Sequence, residues 1–89
     1  MAADTFSHAL SSLTSPAENC FVVQPSDQAE LPQVPKAIYV GQGGNISLIP
    51  LRGTAPVTFY NVAGGSILDV RARAVMATGT TALDMVGLV

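Results

Sequence analysis

Residues 36–51 read KAIYVGQGGNISLIPL, and this stretch decides the fold class. A β-branched and aromatic run, Lys36–Val40, meets Gly41, Gly43 and Gly44, and an apolar run, Ile46–Leu51, follows. A helix through those glycines would lose about 1 kcal/mol at each relative to alanine, and Pro50 would remove an interior donor. Two strands joined by glycine-rich chain is the reading these residues permit. Gly41–Asn45 is expected to close a hairpin, with Ile46–Leu51 as its return strand. Pro50 lacks an N–H, which places that return strand at a sheet edge.

The same punctuation continues in both directions. Upstream, Cys20–Gln24 (CFVVQ) is a strand closed by Pro25. Ser26–Pro35 (SDQAELPQVP) is a polar loop in which Asp27 and Glu30 would cap at most one helical turn before Pro32. Downstream, Val57–Val62 (VTFYNV) follows the loop 52–56, and Ala63–Ser66 turns the chain. Ile67–Met76 (ILDVRARAVM) is the longest strand candidate. Its alternation puts Val70, Ala72, Ala74 and Met76 on one face and Asp69, Arg71 and Arg73 on the other. After a turn at 78–81, Ala82–Val89 is the last strand. About six strands with turns between them predict an all-β domain over residues 18–89, a small β-sandwich or jelly-roll-like fold.

Residues 1–17 differ in kind. They are rich in Ser, Thr and Ala, and Phe6, Leu10 and Leu13 recur at helix-like spacing before Pro16 closes the segment. The expectation is an extended or short-helical N-terminal arm that grips a partner or a neighbouring copy through those three side chains. No Lys or Arg and no apolar core occur in residues 1–15, so no secretory leader is expected there.

Composition sets the class of function. The chain has 89 residues, 48% hydrophobic and 11% charged, against about 25% charged in an ordinary soluble domain. A domain of this size is marginal without a staple. One cysteine (Cys20) and one histidine (His8) supply neither a disulfide nor a metal site. Stability is therefore expected to come from burial against further copies or a partner, because interface cores are depleted in charge. A net charge of −2 with four scattered cations argues against nucleic acid. No apolar run is long enough to span a membrane as a helix.

Candidate chemistry is thin. Gly41-Gln42-Gly43-Gly44 resembles a phosphate loop, but such loops lead into a helix N-terminus, and here a strand pattern follows. His8 lies in the arm, without a fixed third group to orient it. Asp27, Glu30, Asp69 and Asp84 fall on different elements, and Asp69 with Arg71 and Arg73 reads as a solvated strand face. Cys20, in an apolar strand, reads as an inert buried thiol. Tyr39, Phe59 and Tyr60 offer a sugar-stacking platform, against the commoner use of strand aromatics in packing. No catalytic, cofactor or metal residues are assigned, and the chain is read as a non-enzyme.

Three segments carry a resemblance: QPSDQAELPQVPKAIYVGQGGNISL, VTFYNVAGGSILDVRARAV and MATGTTALDMVGL. Taken in order, over roughly residues 16–88, they resemble the small spike-base proteins of bacteriophage and gene-transfer-agent heads. Cys20 and the Ser-rich arm depart from that pattern. The resemblance implies a structural protein on the outer face of a capsid that seats a spike or fibre, with no catalytic motif to carry over. The implied partners are further copies of itself (a trimer or pentamer), the major capsid protein and the spike or fibre; assembly in the host cytoplasm onto the virion exterior is the implied location. Phe6, Leu10, Leu13, Tyr39 and Tyr60 are the expected assembly contacts, the first three gripping the capsid shell or a neighbouring copy. Two alternatives stand beside this reading: a cement protein spread over the capsid lattice, and a carbohydrate-binding module using Tyr39 and Tyr60.

Overall fold

The fold is a computed structural model that describes residues 16–89. Seven strands form: β1 (Cys20–Val22), β2 (Ala37–Gln42), β3 (Gly44–Pro50), β4 (Val57–Val62), β5 (Ser66–Leu68), β6 (Ala72–Val75) and β7 (Leu83–Leu88). They make two antiparallel sheets, a four-stranded one ordered β1-β7-β2-β5 and a three-stranded one ordered β4-β3-β6. This is the strand order of a jelly roll whose second strand is replaced by irregular chain. Part of that chain does the missing strand's work: the N–H of Ser26 donates to Val75 O and that of Leu31 to Arg73 O, both at 2.9 Å, along the outer side of β6. The expected all-β sandwich of jelly-roll type is therefore present, with no helix among the described residues.

The core lies between the sheets. Ile38, Val40, Ile46, Leu48 and Val75 are fully buried, joined by Val23, Ala72, Ala82 and Met85, with Phe21, Leu31, Phe59, Val62, Leu68 and Val70 packed around them. Each fully buried aliphatic of this size contributes about 1.5–3 kcal/mol of transfer free energy. Phe21 is seated by the residue opposite it, Gly87. A Cβ on Gly87 would stand 2.6 Å from the Phe21 ring tip, so the ring occupies the space where a side chain would be.

The link between β2 and β3 is not the expected hairpin. The two strands belong to different sheets, and the chain passes from one to the other at Gly43. A Cβ there would meet Val62 O at 2.5 Å and Gly64 N at 2.7 Å. The second crossing, residues 63–65, lies directly against the first, and Gly65 N donates to Val40 O at 2.7 Å. The glycines thus let two crossing backbones touch rather than close a turn.

Two further expectations are corrected. The segment 67–76 is not one strand: β5 pairs with β2 in the larger sheet and β6 with β3 in the smaller. The β3–β6 register slips between Ile49 and Pro50, leaving Arg73 as an extra residue. Val75 and Ala72 consequently both face the core, while Ala74 stands opposite Ile49 outside the core cluster. Pro50, expected on an edge, ends the central strand β3. The donor it lacks is supplied one residue later, by Leu51 N to Arg71 O at 2.9 Å.

The polar loop also differs from expectation. Ser26 Oγ, not the Asp27–Glu30 pair, accepts from the N–H groups of Gln28 and Ala29 at 3.1 Å. Asp27 reaches instead to Thr78, and Glu30 pairs with Arg73 at 2.7 Å. Phe6, His8, Leu10 and Leu13 lie outside the described residues.

Candidate assembly surface

Because Ile38, Val40 and Met85 point into the core, the alternate residues of the larger sheet point away from it. The register then fixes a row on the outer face. Val22 stands opposite Val86, Val86 opposite Tyr39, and Tyr39 opposite Ile67. One apolar side chain from each of β1, β7, β2 and β5 is thus aligned across the sheet. With strands about 4.8 Å apart, the row spans about 14 Å. Val22 is 67% exposed, Ile67 60% and Tyr39 39%, while Val86 is half-buried between them.

Charge is nearly absent from this sheet. Asp84 is the only ionisable acid or base of the Asp, Glu, Lys and Arg types in its four strands. It sits at the end away from β1's start, with φ 56°, and its Oδ2 accepts from Gln42 Nε2 at 2.9 Å. An apolar row with Asp84 as the one charge on its four strands has the composition of an interface core rather than of free surface.

Cys20 joins this face, two residues before Val22 on β1, and is exposed. The expectation of a buried thiol fails because β1 is an edge strand whose inward position is taken by Phe21.

Tyr60 stands elsewhere, on β4 of the smaller sheet. Between the pairs Gly44↔Val62 and Ile46↔Phe59, Tyr60 and Asn61 both face Asn45, which makes a bulge. Asn61 adopts φ 57°, and its N–H donates to Asn45 Oδ1 at 3.1 Å. The bulge leaves Tyr60 72% exposed, while Phe59 packs on the core. The three aromatics therefore do not share one platform: Tyr39 and Tyr60 belong to different sheets and Phe59 faces inward.

The carboxylates do not converge either. Asp27 accepts from Thr78 N at 3.0 Å and Thr78 Oγ1 at 2.6 Å, and these hydrogen bonds hold its carboxyl below the usual carboxylate range. Glu30 is engaged by Arg73, whose other nitrogen donates to Gly53 O at 3.1 Å. Each of these contacts ties a loop to a neighbouring element. Among the described residues no three His, Cys, Asp or Glu side chains gather as a metal site.

No family model matches the chain, and no curated protein does. Among solved structures, a chain from the capsid of a native gene transfer agent (GTA) particle, computed with C5 symmetry, is 43% identical to it. The match covers 84% of this chain and 86% of that one, with a TM-score of 0.75. Identity at that level over most of both lengths, together with the shared fold, leads to one assignment. The chain belongs to the family of this gene transfer agent capsid protein.

Proposed function

We propose that the chain is a non-enzymatic structural protein on the exterior of a phage-type capsid, where its copies form a homo-oligomeric base that decorates the head and seats a spike or fibre. The observation that carries this reading is the 43% identity to a capsid chain of a GTA particle. The charge-poor outer face of the larger sheet supports self-association: Val22, Val86, Tyr39 and Ile67 form a ready-made apolar row for burial between subunits. The mechanism is geometric. Each copy buries this row against its neighbour, closed rotational symmetry fixes the copy number, and a ring leaves one end free to seat another protein.

Cryo-electron microscopy of particles carrying the chain, with copy counting by quantitative mass spectrometry, tests the reading. Density confined to vertices, outside the shell and beneath a spike, is the expected result. Copies spread over every lattice position would replace the base with a cement protein, and absence from particles would end the reading. Binding of the isolated chain to a glycan array, lost in a Tyr39→Ala/Tyr60→Ala variant, would favour the carbohydrate-binding alternative.

A further inference from the structure

A ring of more than two copies needs two unlike surfaces on each copy, one that receives and one that inserts. The exposed large apolar side chains among the described residues fall into two groups. Val22, Tyr39, Ile67 and Leu83 belong to the larger sheet, and the first three lie on its outer row. Leu51, Val57 and Tyr60 belong to β4 and the turn that leads into it. Tyr60 is the most exposed of them all, at 72%. The bulge at Tyr60 and Asn61 interrupts β4 as a ladder edge, so a neighbour meets its side chains rather than its backbone. No Asp, Glu, Lys or Arg occurs in β4.

The fold sets these two surfaces at one level along the strands. Tyr39 lies four residues before the crossing at Gly43, and Ser47 lies four residues after it. Ser47 stands opposite Thr58, which lies between Val57 and Tyr60. The row and the stretch from Val57 to Tyr60 are therefore level. β4 is an edge of the smaller sheet, and the two sheets face each other with strands nearly aligned. Its free side thus looks sideways from the sandwich, about a right angle from the direction the row faces. A rotation axis running along the strands brings the β4 side of the next copy against the row without changing level. Surfaces related in this way close into a small ring, whereas surfaces on opposite faces would stack into an open fibre.

We infer that the outer row of each copy receives the β4 side of the next copy, with the Tyr60 ring as the inserted anchor. This rests on the homo-oligomeric base proposed above and names the surface that covers its row. Tyrosine suits the position, because its ring buries a large area with few torsions to freeze and its hydroxyl keeps a polar partner. One contact of this kind buries both exposed apolar groups and brings no charge from β4 against the row. A contact of row with row would instead pair copies about a two-fold axis and leave Val57 and Tyr60 in water.

The experiment uses two full-length variants and native mass spectrometry at a concentration where the native chain is assembled. Tyr39→Asp spoils the receiving row, and Tyr60→Asp spoils the inserted side. Each variant alone should stay monomeric, with subunit affinity lowered by at least about tenfold, which is about 1.4 kcal/mol. Mixed in equal amounts, they should form a pair of one copy of each and nothing larger. The intact row of the Tyr60→Asp chain takes the intact Tyr60 of the Tyr39→Asp chain, and both remaining surfaces of the pair are spoiled. Melting of the dilute variants checks that each is folded, and Tyr60→Ser repeats the test without adding a charge. A folded Tyr60→Asp or Tyr60→Ser chain that assembles as the native chain does overturns the inference and leaves the assembly reading standing, as does a mixture that forms no pair. A native chain that stays monomeric at every concentration overturns the assembly reading itself.

Discussion

Tyr39 and Ile67 face each other across the β2–β5 ladder on the outer side of the larger sheet, with Val86 on the other flank of Tyr39. An exposed tyrosine between two aliphatic residues is a natural interface anchor, since aromatic residues concentrate binding energy and neighbouring apolar groups exclude water. The first prediction follows. Tyr39→Asp places a charge within the row and Ile67→Lys at its β5 end, both on the face turned away from the core. Sedimentation should show subunit affinity falling by at least tenfold, about 1.4 kcal/mol or more, with the melting temperature of the dilute chain changed little. Unaltered association in both variants would mean that the row is not the contact.

Phe21 and Gly87 make the second prediction. A methyl group at residue 87 would come within 2.6–3.0 Å of three atoms of the Phe21 ring. Gly87→Ala should destabilise the fold by about 1–3 kcal/mol, the usual cost of overpacking. The cause can be isolated by a double-mutant cycle read from chemical denaturation. In a Phe21→Ala background the space is open, so the added cost of Gly87→Ala should drop below about 0.5 kcal/mol. Equal costs in both backgrounds would place the strain somewhere other than this ring.

Much of this architecture was legible in the chain, and the failures share one cause. All-β character and most strand cores follow from local signals, such as Gly41-Gln42-Gly43-Gly44 and the β-branched runs on either side. What local signals do not contain is which sheet a strand joins. Glycine-rich chain serves equally for a hairpin and for the close approach of two crossing backbones at Gly43 and Gly64. The alternation in ILDVRARAVM is continuous in sequence, yet the chain changes sheet between Leu68 and Ala72 and gains a bulge at Arg73. Tyr39 could be singled out as a contact from sequence, but Val22, Val86 and Ile67 could not. They become neighbours only through the register of four strands that are far apart in the chain.

The third prediction concerns Asp27. Its carboxylate accepts two hydrogen bonds from Thr78, which lower its pKa in the fold. A depressed carboxylate contributes stability that is fully present above the unfolded-state value of about 3.9 and is lost as pH falls through the folded value. The melting temperature of the native chain should therefore fall as pH drops below about 4, and Asp27→Asn should flatten part of that fall. Thr78→Val, which removes the hydroxyl donor, should do the same. Parallel pH profiles for all three chains would show that this contact does not contribute to acid sensitivity.

Cys20 supplies the last prediction, because its thiol is exposed and lies on the same face as the apolar row, at the β1 edge. A neutral thiol-reactive reagent should modify it in the native dilute chain without denaturant, at a rate within about tenfold of the unfolded chain, since the thiol is exposed in the fold. Raising the protein concentration through the association midpoint should then protect it, because a neighbour seated across Val22, Val86, Tyr39 and Ile67 would cover the adjoining position as well. Ile67→Lys should abolish that protection without slowing the reaction of the dilute chain. If the thiol reacts equally fast in monomer and oligomer, the buried surface lies away from β1, and the β5 end of the row becomes the place to look.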